Sequence, residues 1–138
     1  MKATIEKDKE SMEGRVLIVD DELLINKLLE TRLTRDEFKV DVAFDGIEAL
    51  KKASSNKYDV ILTDLMIPNI AGRELIMELQ NSKLNSETPI IVLSSLASDE
   101  LIVDILGSGV KDYIVKPFSL NVVIAKIKQL MLSDLSPV

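Results

Sequence analysis

Six polar residues stand directly after short apolar runs in this chain: Asp20, Asp21, Asp64, Ser94, Ser95 and Lys116. If the runs are neighbouring strands, one sheet edge collects three carboxylates, two hydroxyls and one ammonium. Carboxylates held that close repel and raise one another's pKa values unless a cation relieves them. The chain has no histidine and no cysteine, so the available donors are oxygens, which suit a hard ion such as Mg²⁺. Such an ion neutralises an incoming phosphate, and Lys116 supplies a further point charge. Asp64 is then an ionised oxygen nucleophile able to form an aspartyl-phosphate.

That chemistry depends on elements that bring the six residues together. Four apolar runs are continuous and rich in β-branched residues: Val16-Leu17-Ile18-Val19, Val60-Ile61-Leu62, Ile90-Ile91-Val92-Leu93 and Tyr113-Ile114-Val115. Continuous runs suit strands covered on both faces, as in a parallel sheet. A weaker fifth candidate, Phe38 to Ala43, carries Lys39 and Asp41 and reads as an edge strand. Helical spacing fills the gaps: Leu24, Ile25, Leu28, Leu29 and Leu33; Ile47, Leu50 and Ala53; Leu75, Ile76 and Leu79. The next set, Leu101, Ile102, Ile105 and Leu106, ends at Gly107 or Gly109, where glycine takes a left-handed cap. A last helix carries Leu120, Val123, Ile124, Ile127, Leu130 and Met131 behind Ser119 as N-cap. Strand–helix alternation repeated five times predicts an α/β fold of right-handed βαβ units with helices on both faces. In such sheets ligands bind beyond the carboxyl ends of the strands, where the six residues fall.

Composition sets the outer bounds. The 138 residues are 46% hydrophobic and 29% charged, ordinary for one globular domain. A net charge of −6 argues against the chain itself binding nucleic acid. No apolar run approaches a membrane span, and the Lys- and Glu-rich start lacks the apolar stretch of a secretory signal. A cytoplasmic location is expected. Residues 1–13 read as a flexible leader, 14–133 as the domain and 134–138 as a short tail.

Each residue also has a local explanation. Asp20 and Asp21 can cap a helix, Asp64 can serve a turn before Pro68, Ser94 and Ser95 can bond nearby backbone, Lys116 can be a solvated surface lysine, and Tyr113 can be core. Their joint placement at strand ends, in order, favours a shared site.

Four segments carry a family resemblance: Val19-Asp20-Asp21-Glu22, Thr63-Asp64-Leu65-Met66-Ile67-Pro68, Leu93-Ser94-Ser95 and Val115-Lys116-Pro117-Phe118. Together the chain resembles the response-regulator receiver domains of two-component signal transduction, over about Arg15 to Leu132. The resemblance implies a flavodoxin-like (βα)5 fold with strand order 2-1-3-4-5. It implies that Asp64 accepts phosphate from a histidine kinase or histidine phosphotransfer protein. Asp21 would ligate Mg²⁺ directly and Asp20 through water, with Asp64 and the Met66 carbonyl completing the protein ligands. Lys116 would pair with phosphoryl oxygens, and Ser94, assisted by the Ser95 N–H, would donate to them. Tyr113 would be the switch aromatic, and the Lys116–Pro117 peptide would be cis. The output would be a partner protein or an effector domain not contained in the chain, and the domain a monomer or a phosphorylation-dependent dimer. Ala71 stands where the family often has Asp, and Ser94 where it often has Thr. A phosphatase of the haloacid-dehalogenase type is the main rival, but Met66 occupies the position of its acid/base Asp. The remaining alternative is an interaction module indifferent to phosphate, and a Gly-Lys-Ser/Thr phosphate loop is absent.

Overall fold

The computed structural model describes residues 14 to 135. The elements alternate throughout: β1 (Arg15–Val19), α1 (Leu23–Arg35), β2 (Lys39–Ala43), α2 (Gly46–Ser55), β3 (Val60–Thr63), α3 (Gly72–Gln80), β4 (Ile90–Ser94), α4 (Asp99–Gly107), β5 (Asp112–Val115) and α5 (Leu120–Leu135). All strand pairs are parallel, in the order β2-β1-β3-β4-β5. The half-charged strand β2 lies at one edge, where the sequence put it. The leader over 1–13 and residues 136–138 lie outside the described residues; α5 runs to Leu135, past the expected boundary at 133.

Alternation along each central strand divides the core into two layers. Val16 and Ile18 of β1, with Val60 and Leu62 of β3, face Leu29 and Leu33 of α1 and Val123, Ile124 and Ile127 of α5. Leu17, Val19 and Ile61 point the other way, toward Ala49 and Ala53 of α2, Leu75 and Leu79 of α3 and Ile105 of α4. Both faces of the sheet are therefore dry, which is why these strands read as unbroken apolar runs.

The helical stripes are wider in sequence than in burial. Leu24 is 80% exposed, and Leu28 and Ile47 are also on the surface. The sheet accepts only one flank of α1, and Asn26 takes a buried place there instead of Leu28. Gly109, at φ +104°, makes the left-handed turn after α4. Ser119 lies before α5 as expected, its Oγ accepting the Val122 N–H at 3.4 Å. No helix among the described residues is long and apolar enough to cross a membrane.

Two local features behave differently. Asn85, fully buried between α3 and β4, satisfies all four of its amide sites. It donates to the Ala53 and Asn56 carbonyls, both at 2.8 Å. It accepts the Tyr58 N–H at 2.8 Å and the Thr88 hydroxyl at 2.9 Å. One amide thus joins the end of α2 to the entrances of β3 and β4. By contrast, Ala71 occupies the N-cap of α3 with extended backbone (φ −61°, ψ 140°) and offers no side-chain acceptor, whereas Asp45 caps α2 and Ser98 caps α4.

Two stability measurements follow by urea unfolding. Asn85→Ala strands several buried partners and should cost about 3 kcal/mol; an unchanged midpoint would remove Asn85 from this role. Ala71→Asp supplies the missing cap on a compatible backbone and should stabilise the domain by about 1 kcal/mol; a loss would show the α3 start is held otherwise.

Candidate functional site at the carboxyl edge of the sheet

The register of the strands carries the site residues to one level. Val19 pairs with Thr63 across β1 and β3, so Asp20 and Asp64 both stand one residue past the last paired position. Their backbones stay tied to the neighbouring strands: the Asp20 N–H donates to Ala43 O at 3.1 Å and the Asp64 N–H to Val19 O at 3.0 Å. Ser94 pairs with Val115, and the Lys116 N–H donates to Ser94 O at 2.9 Å. Parallel hydrogen bonding thereby sets four site residues before any side chain acts. The Lys116–Pro117 peptide is cis.

The side chains then converge on one atom. Lys116 Nζ lies 2.7 Å from Asp20 Oδ2, 2.8 Å from Asp64 Oδ2 and 3.0 Å from Glu22 Oε1. Asp20 and Asp64 are buried, whereas the Glu22 side chain is 57% exposed. The second oxygen of each buried aspartate is held by a backbone N–H. Glu22 N–H donates to Asp20 Oδ1 at 2.9 Å, and Met66 N–H to Asp64 Oδ1 at 3.0 Å.

Burial pushes the Asp20 carboxyl up, and its bond to Lys116 opposes that only in part. For Lys116, burial works against the charged amine. Its hydrogen bonds to Asp20, Asp64 and Glu22 outweigh burial and raise it above the usual amine range. The sign for stability follows. Ionising Asp20 as pH rises from the acid side costs folding free energy, because the folded state holds that proton more tightly. The ammonium contact offsets this cost and is lost only when pH climbs through the raised Lys116 value, so it persists through the neutral range.

Ser94 and Tyr113 form the floor. Ser94 is fully buried and its Oγ accepts the Leu96 N–H at 3.2 Å. The Tyr113 hydroxyl donates to the carbonyl of the same Leu96 at 2.6 Å. Burial pushes the Tyr113 phenol up, with a hydrogen bond to Ser94 opposing it and the charge of Asp64 adding to it. Met66 and Ser95 are exposed at the mouth, where Ser95 Oγ reaches Met66 Sδ at 4.0 Å. Gly72, opening α3, backs directly onto the peptide after Asp64: a Cβ there would fall on the Leu65 backbone, 2.6 Å from its carbonyl oxygen.

The structure thus brings together Asp20, Asp64, Lys116, Ser94 and Tyr113. Asp21 is exposed, outside the trio of carboxylates within 4.8 Å of one another, which is Asp20, Glu22 and Asp64. Sequence reasoning gave Glu22 no role. Its position opening α1 suggests a cap, yet its side chain caps nothing and lies on Lys116 instead. The donor set fits a hard divalent cation: three carboxylates against one ammonium leave two negative charges unbalanced, and only oxygens are offered.

Comparison with known proteins agrees with this geometry. The family model described as response regulator receiver domain matches residues 16–128. Response regulator ArlR of Staphylococcus saprophyticus is 38% identical over 85% of the chain and 52% of its own length. The chain spans about half the length of the curated relatives it matches. The receiver domain of Francisella response regulator 1452 superimposes with a TM-score of 0.82 at 37% identity, covering 88% of this chain and 99% of that one. The receiver domain of the Pseudomonas aeruginosa sensor histidine kinase PA1611, solved with magnesium in its active-site cleft, gives 0.78 at 26% identity, covering 86% and 98%. With five parallel strands in this order and an acidic pocket suited to a phosphoacceptor, the chain belongs to the response regulator receiver domains of two-component systems.

Proposed function

We propose that this chain acts in the cytoplasm and that Asp64 accepts a phosphoryl group from the phosphohistidine of a histidine kinase or histidine phosphotransfer protein, with Mg²⁺ as cofactor. The single observation carrying this reading is the buried Lys116 ammonium joining Asp64 to Asp20 at the carboxyl edge of the sheet. In the forward step an Asp64 carboxylate oxygen bonds to phosphorus while the phosphorus–nitrogen bond of the donor breaks, its electron pair leaving with the imidazole. In the reverse direction water attacks phosphorus and Asp64 leaves as carboxylate with release of inorganic phosphate.

The protein's part is positional and electrostatic. Asp20, Asp21, Asp64 and the Met66 carbonyl would hold Mg²⁺, which supplies charge compensation for the transferring oxygens. Met66 N–H holds Asp64 Oδ1, which leaves Oδ2, the oxygen on Lys116, to meet phosphorus. Lys116, Ser94 and the Ser95 N–H receive the phosphoryl oxygens. Met66 also stands where a haloacid-dehalogenase phosphatase needs an acidic residue, which favours a signalling role over turnover.

Output follows from the Leu96 peptide, whose N–H rests on Ser94 and whose carbonyl rests on Tyr113. A phosphoryl group adds about −1.5 to −2 charge and draws the Ser94 hydroxyl toward itself. Leu96 then loses its acceptor, the loop before α4 shifts, and Tyr113 and the α4–β5–α5 face adjust with it. That face would meet an output protein or an effector domain.

Two outcomes are expected. Asp64→Asn should reduce labelling by acetyl phosphate and Mg²⁺ to background, and persistent acid-stable stoichiometric labelling would move the acceptor elsewhere. Lys116→Ala should still bind beryllofluoride but lose the amide NMR shifts at Leu96 and Tyr113 that wild type shows. Wild-type-sized shifts in that variant would take Lys116 out of the coupling.

A further inference from the structure

An ammonium has three N–H donors, and Lys116 spends all three on Asp20, Asp64 and Glu22. None is left for a phosphoryl oxygen, so one contact must open before Lys116 can serve the reaction. The three contacts are unequal. Asp20 and Asp64 are buried and their second oxygens are pinned by backbone N–H groups. Taking the ammonium off either leaves a buried carboxylate short of its countercharge, which is strongly unfavourable. Glu22 is 57% exposed on its side chain, and water replaces the lysine there at little cost.

We infer that Glu22 is a positioning residue that parks Lys116 between phosphorylation events and releases it to the phosphoryl group. The inference rests on Asp64 as acceptor and adds a residue to that site's regulation. The parked arrangement is a ground state that the reaction must leave, so Glu22 slows phosphorylation. A contact with the half-exposed carboxylate is absent once Lys116 has turned to phosphate, so its removal acts on the resting state and leaves the reacting state untouched.

The test uses the full chain with acetyl phosphate at saturating Mg²⁺. Glu22→Gln should speed acyl-phosphate formation about two- to fivefold, the rate equivalent of a half-exposed ion pair. Glu22→Asp, which keeps the charge but falls a methylene short of Lys116, should speed it equally. If only Glu22→Gln is faster, Glu22 acts as a plain surface charge on the anionic donor and the inference is overturned. In a Lys116→Ala background, or Lys116→Met if that variant folds better, neither substitution should change the rate; an undiminished effect also overturns it. A thermal-denaturation cycle over positions 22 and 116 supplies an arm independent of chemistry. Coupling of about 2 °C is expected in metal-free buffer, vanishing with Mg²⁺ and beryllofluoride. Absence of metal-free coupling sinks the parking contact. Should wild type fail to label at Asp64, the acceptor assignment fails separately, and this arm still decides whether Glu22 holds the lysine.

Discussion

One buried ammonium among carboxylates is the constraint that organises the functional end of this domain. Lys116 sits at the exit of β5, Asp20 at the exit of β1 and Asp64 at the exit of β3, and hydrogen bonds of 2.7 and 2.8 Å join them. Without a cation, two buried carboxylates side by side would not both stay ionised. The lysine meets that requirement in the resting domain, and a divalent ion would share it in the proposed phosphorylated form. The same electrostatic need therefore holds the three strand exits together around one ammonium.

The sheet makes such an arrangement affordable. Parallel strands in the order β2-β1-β3-β4-β5 put the three central exits at one level, and backbone hydrogen bonds fix the chain up to the site residues themselves. Two dry layers, one on each face of the sheet, leave the strands little freedom to slip in register. Site residues Asp20, Asp64 and Lys116 stand in the turns just beyond these strands. Leu96 is held at both of its backbone groups, its N–H by Ser94 and its carbonyl by Tyr113. The Leu96 backbone thus links the strand-end serine of β4 directly to the aromatic of β5.

Much of this was legible from residues alone, for a physical reason. Strands buried on both faces must be unbroken apolar runs, so their ends are sharp in the sequence and Asp20, Asp64, Ser94 and Lys116 stand out. What could not be read depends on side-chain direction in turns and on helix rotation. Asp21 and Glu22 are adjacent carboxylates at the same strand exit, and only the backbone turn into α1 decides that Glu22 meets Lys116 while Asp21 faces solvent. The apolar spacing of α1 includes Leu24 and Leu28, but the sheet buries Leu29, Leu33 and the polar Asn26. Asn85 gave no sequence signal either, because a loop asparagine becomes a structural hub only when four partners from distant segments arrive around it.

The most direct test of the central claim is a crystal structure of the domain soaked with Mg²⁺ and beryllofluoride. The account predicts beryllium bonded to an Asp64 carboxylate oxygen, with Lys116 Nζ on a fluorine and no longer on Glu22. Beryllofluoride bound away from Asp64, or a lysine still held by all three carboxylates beside a filled site, would contradict it.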